Sequence, residues 1–112
     1  MEMYKETLLS GCRCVEVDCW DGPNNEPKVT HGFTLTSSIT FKSALEAIKE
    51  TAFQFSPYPV CISLEMHCKK KQQDVIAFYL KSILGEENLY KLPSTLANIT
   101  TIADIPHYPS PE

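Results

Sequence analysis

The sequence predicts an α/β fold: a parallel sheet of the βα type with two or three strands and two main helices, a slice of a larger barrel or sheet. Three observations predict it. Residues 12–20 alternate between apolar and acidic side chains, residues 60–65 form a short apolar run, and the stretches after them carry apolar residues at helical spacing. Strands that alternate with helices favour parallel pairing through right-handed crossovers. Two or three strands cannot close on themselves, so the sheet is expected to present open edges. Residues 1–92 form the folded part, and residues 93–112, with Pro93, Pro106, Pro109 and Pro111, read as a proline-containing tail or linker.

The chain opens on the end of a helix at residues 4–10, with Tyr4, Leu8 and Leu9 on one face and Ser10-Gly11 as its stop. In the strand that follows, Val15, Val17 and Cys19 point one way and Glu16 and Asp18 the other, because side chains in a strand repeat every two residues. Asp21-Gly22-Pro23 through Pro27 is dense in turn formers and reads as a surface loop. Lys28 to Leu35 is extended, a hairpin arm returning beside the first strand. Thr36-Ser37-Ser38 offers helix caps, and Phe41, Leu45, Ile48 and Ala52 then repeat at helical spacing to about Phe55. Ser56-Pro57-Tyr58-Pro59 ends that helix. Val60 to Glu65 reads as a buried parallel strand with a carboxylate at its tip. Lys69-Lys70-Lys71 leads into a second helix with Val75, Ile76, Tyr79, Leu80 and Ile83 as its apolar stripe and Gly85 as its stop.

Composition narrows the function classes. With 43% apolar and 21% charged residues the chain is globular, and its longest apolar runs are far too short to cross a bilayer. A net charge of -4 argues against nucleic acid as a partner. Five cysteines at irregular spacing are not a disulfide framework and fit a reduced, cytoplasmic compartment, as does a polar N-terminus without a signal-peptide core. Cys12, Cys14, His67 and Cys68 lack the paired spacing of a zinc knuckle, so buried free thiols are the preferred reading. Asn98-Ile99-Thr100 matches a glycosylation sequon by chance.

The chemistry concentrates at strand ends. Glu16 and Asp18 share one face near the end of the first strand, and Glu65 ends the second. In a parallel sheet both tips lie at the same rim, where α/β proteins place their sites. Carboxylates gathered there are costly without a counter-ion, and hard oxygen ligands suit Ca²⁺ or Mg²⁺ rather than Zn²⁺. A solvated acidic strand face is the competing reading. His31, after the first turn, stands where a general acid or base could serve such a cup. His67 and His107 have no comparable setting in the sequence.

These residues carry a resemblance. Gly11-Cys12-Arg13-Cys14-Val15-Glu16-Val17-Asp18-Cys19-Trp20-Asp21-Gly22-Pro23 resembles the signature of the eukaryotic phosphoinositide-specific phospholipases C, in the X half of their catalytic barrel. Further blocks follow in the family's order: Val29 to Ser37, Ala52-Phe53 to Val60, Ile62-Ser63-Leu64-Glu65 with His67-Cys68, then Gln72-Gln73 and Tyr108 to Glu112. Met66 stands where asparagine is common.

The resemblance implies a partial (β/α)8 TIM-type barrel, with the Y half of the barrel as this segment's partner in the parent chain. It implies hydrolysis of phosphatidylinositol 4,5-bisphosphate to diacylglycerol and inositol 1,4,5-trisphosphate, with Ca²⁺ as cofactor, at the inner face of the plasma membrane. By position, Glu16, Asp18 and Glu65 match metal ligands. Glu16 also matches the base that activates the inositol 2-hydroxyl, and His31 matches the second catalytic histidine. The family's first catalytic histidine belongs to a His-Asn-Thr motif, which this sequence does not contain. The alternative is a non-catalytic segment of the same family that acts as a binding module.

Overall fold

Strand β1 (Cys14–Trp20) lies inside the sheet and organises it. The computed structural model describes residues 1–30 and 38–91. On one side β1 pairs in parallel with β4 (Cys61–Met66), and on the other it pairs antiparallel with β2 (Lys28–Thr30). A two-residue strand β3 (Ile39–Thr40) adds to β2, giving the order β3-β2-β1-β4. Among the described residues the sheet therefore holds four strands where the sequence suggests two or three, and the extra one is too short to leave an alternation pattern. The hairpin arm expected from Lys28 returns beside β1 as far as Thr30. Its remainder, including His31, and the caps at Thr36-Ser37 lie outside the described residues, as does the tail from residue 93.

The alternation of β1 is realised in full. Val15, Val17 and Cys19 are buried, while Glu16 and Asp18 face the opposite side. Helix α1 (Glu2–Leu9) lays Tyr4 and Leu8 onto the buried face, while Leu9 turns outward. It stops at Gly11, whose φ of +100° is a conformation that residues with a Cβ rarely adopt. Helix α2 (Phe41–Thr51) buries Phe41, Leu45 and Ile48 at the spacing read from the sequence, with Ala52 just beyond its end. Its cap is Thr40, whose Oγ1 accepts the Ser43 amide at 3.1 Å, rather than a residue of the 36–38 stretch. Helix α3 (Lys70–Tyr79) continues as one π-helical turn (Leu80–Leu84) and ends at Gly85, with φ +88°. Ile76 is buried, and Tyr79, Leu80 and Ile83 pack against the core.

The 60–65 run does form a parallel strand, but β4 is not buried: Ile62 and Leu64 are half-covered and its other residues are exposed. Among the described residues β4 is a sheet edge, paired only with β1, and local sequence carries no record of a strand's neighbours. Arg13 holds the loop that leads into β4. Its Nη2 donates to the carbonyls of Ala52 and Tyr58, each at 2.6 Å, and its guanidinium lies 5.8 Å from the centre of the Phe53 ring. No helix among the described residues is long and apolar enough to cross a membrane.

Candidate metal and catalytic site

Parallel register builds the site. Cys14, Glu16 and Asp18 stand opposite Cys61, Ser63 and Glu65, and residues directly opposite in a sheet share a face. Asp18 and Glu65 are therefore neighbours near the C-terminal ends of their strands, with Glu16 one pleat behind. One oxygen from each of Glu16, Asp18 and Glu65 lies within 4.8 Å of the other two. The structure thus brings together all three acidic residues singled out in the sequence. Cys12, Cys14, His67 and Cys68 do not converge on a common point among the described residues.

Three features indicate that this face fits a hard cation. Asp18 Oδ1 is buried without a hydrogen-bond partner among the described residues, a costly state for a carboxylate oxygen unless a cation meets it. No lysine or arginine among the described residues is ion-paired with any of the three carboxylates. The donors are all carboxylate oxygens, the ligand chemistry of Ca²⁺ and Mg²⁺. The negative potential reaches the other side of the sheet. The pKa of the Tyr4 hydroxyl is pushed up to about 12, mainly by burial and in part by the charges of Asp18, Cys19 and Glu16. That hydroxyl donates to the Glu16 carbonyl at 3.3 Å.

The turn after β1 is tied to the start of α3. Gln72 is buried and uses both ends of its amide on Gly22, accepting the amide N–H at 3.0 Å and donating to the carbonyl at 2.8 Å. Asp21 accepts the Lys69 amide at 3.2 Å, which places a negative charge at the helix N-terminus. These three bonds fix the rim onto which the carboxylates open.

His67, which the sequence reading left without a role, belongs to this rim. Its Nε2 lies 2.9 Å from Glu65 Oε1, and its ring stacks on Trp20 with centroids 3.9 Å apart and planes 12° from parallel. The signal was present in the sequence: Glu65 and His67 have the same i, i+2 spacing that joined Glu16 to Asp18. His31 lies outside the described residues.

Helices packed on one face of the sheet, with carboxylates near the C-terminal ends of two parallel strands on the other, define a segment of the α/β barrel class with an acidic rim. Comparison with known proteins narrows the class. The family profile described as "Phosphatidylinositol-specific phospholipase C, X domain" matches residues 1–112. The 1-phosphatidylinositol 4,5-bisphosphate phosphodiesterase beta-2 of Mus musculus is 52% identical over 99% of this chain and 9% of its own length. The delta-1 enzyme of that name from Rattus norvegicus is 50% identical over 99% of the chain and 14% of its own. The crystal structure of L. pealei PLC21 superposes with a TM-score of 0.72 at 49% identity, covering 76% of this chain and 11% of that one. The chain belongs to the phosphatidylinositol-specific phospholipase C X-domain family, and it spans roughly a tenth of the length of the relatives it matches.

Proposed function

We propose that this chain is the part of a Ca²⁺-dependent phosphoinositide phospholipase C that supplies the metal cup. The whole protein cleaves phosphatidylinositol 4,5-bisphosphate to diacylglycerol and inositol 1,4,5-trisphosphate. The observation that carries this reading is the convergence of Glu16, Asp18 and Glu65, with Asp18 Oδ1 buried and unpartnered. Ca²⁺, when bound, supplies Lewis-acid chemistry, lowering the pKa of the inositol 2-hydroxyl and offsetting charge on the phosphate. Asp18 and Glu65, on adjacent strands, would hold the ion together with Glu16. Glu16 accepts the 2-hydroxyl proton as that oxygen attacks phosphorus. His31 gives a proton to the departing diacylglycerol oxygen, and water then opens the cyclic phosphodiester. Such a substrate places the protein in the cytoplasm, peripheral at the inner face of the plasma membrane, with the Y half of the barrel closing the other side of the site.

The test is paired calorimetry and lipid hydrolysis on the whole protein. Glu16→Gln is expected to weaken Ca²⁺ binding about 10-fold or more, by analogy with the loss of a ligand-shell group, and to abolish inositol trisphosphate release. Equal Ca²⁺ affinity in the variant removes Glu16 from the ligand set. Ca²⁺ binding with no turnover by the unaltered protein supports the binding-module reading instead.

A further inference from the structure

We propose that His67, braced by Trp20, is a positioning residue that holds the Glu65 carboxylate in the cation cup. This rests on the cation reading above and adds a residue to it. Glu65 is an exposed side chain at a sheet edge, so nothing in the packing of β4 fixes its rotamer. A ligand free to rotate loses conformational entropy when it binds an ion, and a prior hydrogen bond removes part of that cost.

The geometry suits that task. A carboxylate oxygen accepts, so the His67 Nε2–H donates to Oε1 across 2.9 Å, and the carboxylate keeps a second oxygen to offer a cation. The imidazole is itself held. The His67 amide donates to the Cys19 carbonyl at 2.8 Å, which carries the β1–β4 ladder one residue past Met66. The same register sets His67 beside Trp20, and the near-parallel stack, 3.9 Å between centroids, fixes the plane of the ring. The chain of support runs from strand pairing to indole, from indole to imidazole, and from imidazole to carboxylate. Three consecutive pleats of the parallel pair thus serve one ligand atom.

The chain carries a single tryptophan, which supplies the readout. Tb³⁺ is a probe for oxygen-lined cation sites, and a Tb³⁺ ion in the cup would be excited through Trp20. Titration of this chain with Tb³⁺ gives an apparent affinity from the midpoint of sensitised emission, with no substrate or turnover involved. His67→Ala is expected to weaken that affinity about 10- to 100-fold, the range for loss of an outer-shell partner. His67→Gln, whose amide nitrogen reaches the place of Nε2, is expected to restore it to within about 3-fold, well short of that loss. Adding His67→Ala to Glu65→Gln is expected to cost nothing further, because two groups acting through one contact are not additive.

An unchanged midpoint in His67→Ala overturns the proposal while leaving the cup intact. A Gln variant as weak as the Ala variant, with both showing wild-type circular dichroism, also overturns it. Absence of sensitised emission in the unaltered chain overturns the cation reading and this inference with it.

Discussion

Two buried groups in β1 and α1 tie the fold to protonation. Burial pushes the Cys19 thiol from its ordinary 9.0 up to about 12, with Cys68 and Asp18 adding to the rise. Burial likewise pushes the Tyr4 hydroxyl from 10.0 up to about 12. Both groups stay protonated in the folded chain at pH values where the unfolded chain has lost the proton. Each contributes its full share of stability below the unfolded value, and that share is lost as pH rises through the folded one. Denaturation midpoints are therefore expected to fall from about pH 9 as Cys19 enters its window, and further from about pH 10 as Tyr4 does. Tyr4→Phe removes the second contribution, so its midpoint curve should be flatter than wild type between pH 10 and 12. Parallel curves for the two proteins across that interval would show that Tyr4 is not linked to folding.

At the scale of elements, helix α2 separates what a local pattern encodes from what it does not. Phe41, Leu45 and Ile48 are legible because a 3.6-residue period is written into the chain, and all three are buried. Ile48→Ala is expected to cost about 2–5 kcal/mol, the range for deleting a packed branched side chain. Thr40→Ala should cost about 1 kcal/mol, since it removes one cap bond from a partly exposed helix end. Urea melts of the two variants give the ranking, and a cap variant costlier than the core variant would contradict it. The cap is not legible in sequence because Thr36, Ser37, Ser38 and Thr40 are all competent, and the two-residue pairing of β3 with β2 settles where the helix begins. The exposure of β4 is hidden for a related reason: an apolar run reports the composition of a strand and not its neighbours. At the site, Glu16 and Asp18 followed from alternation and Glu65 from its place at the strand tip. The contact from His67 to Glu65 needed the register that sets Trp20 beside the imidazole.

On the scale of the whole molecule, the carboxylates and the apolar groove lie on opposite faces of the sheet and both adjoin the β4 edge, because Ile62 pairs with buried Val15 while Glu65 pairs with Asp18. Cys14, Glu16, Asp18 and their partners on β4 face away from the helices. Beside β4, Ile48, Phe53, Val60, Ile62, Leu80 and Leu89 line an open apolar groove of about 960 Å³. Phe53, Phe55 and Tyr58 are more than half exposed. Among the described residues β4 is an edge with unpaired backbone groups next to exposed aromatic rings, which favours association over a stable monomer. The catalytic requirement points the same way. A phosphodiester transition state needs charge stabilisation from groups that surround the phosphorus and exclude water. Among the described residues the candidate site offers three carboxylates from one sheet face, and the sequence holds no His-Asn-Thr motif to supply the family's first catalytic histidine. The 112-residue chain alone is therefore expected to release no inositol trisphosphate from phosphatidylinositol 4,5-bisphosphate vesicles in the presence of Ca²⁺, and to self-associate as its concentration rises. Hydrolysis with and without chelator, together with light scattering across a concentration series, checks both expectations. Robust Ca²⁺-dependent release by the chain alone would mean that one sheet face suffices for the chemistry. A sharp, reversible melt of a monomer would mean that the groove and the β4 edge need no covering.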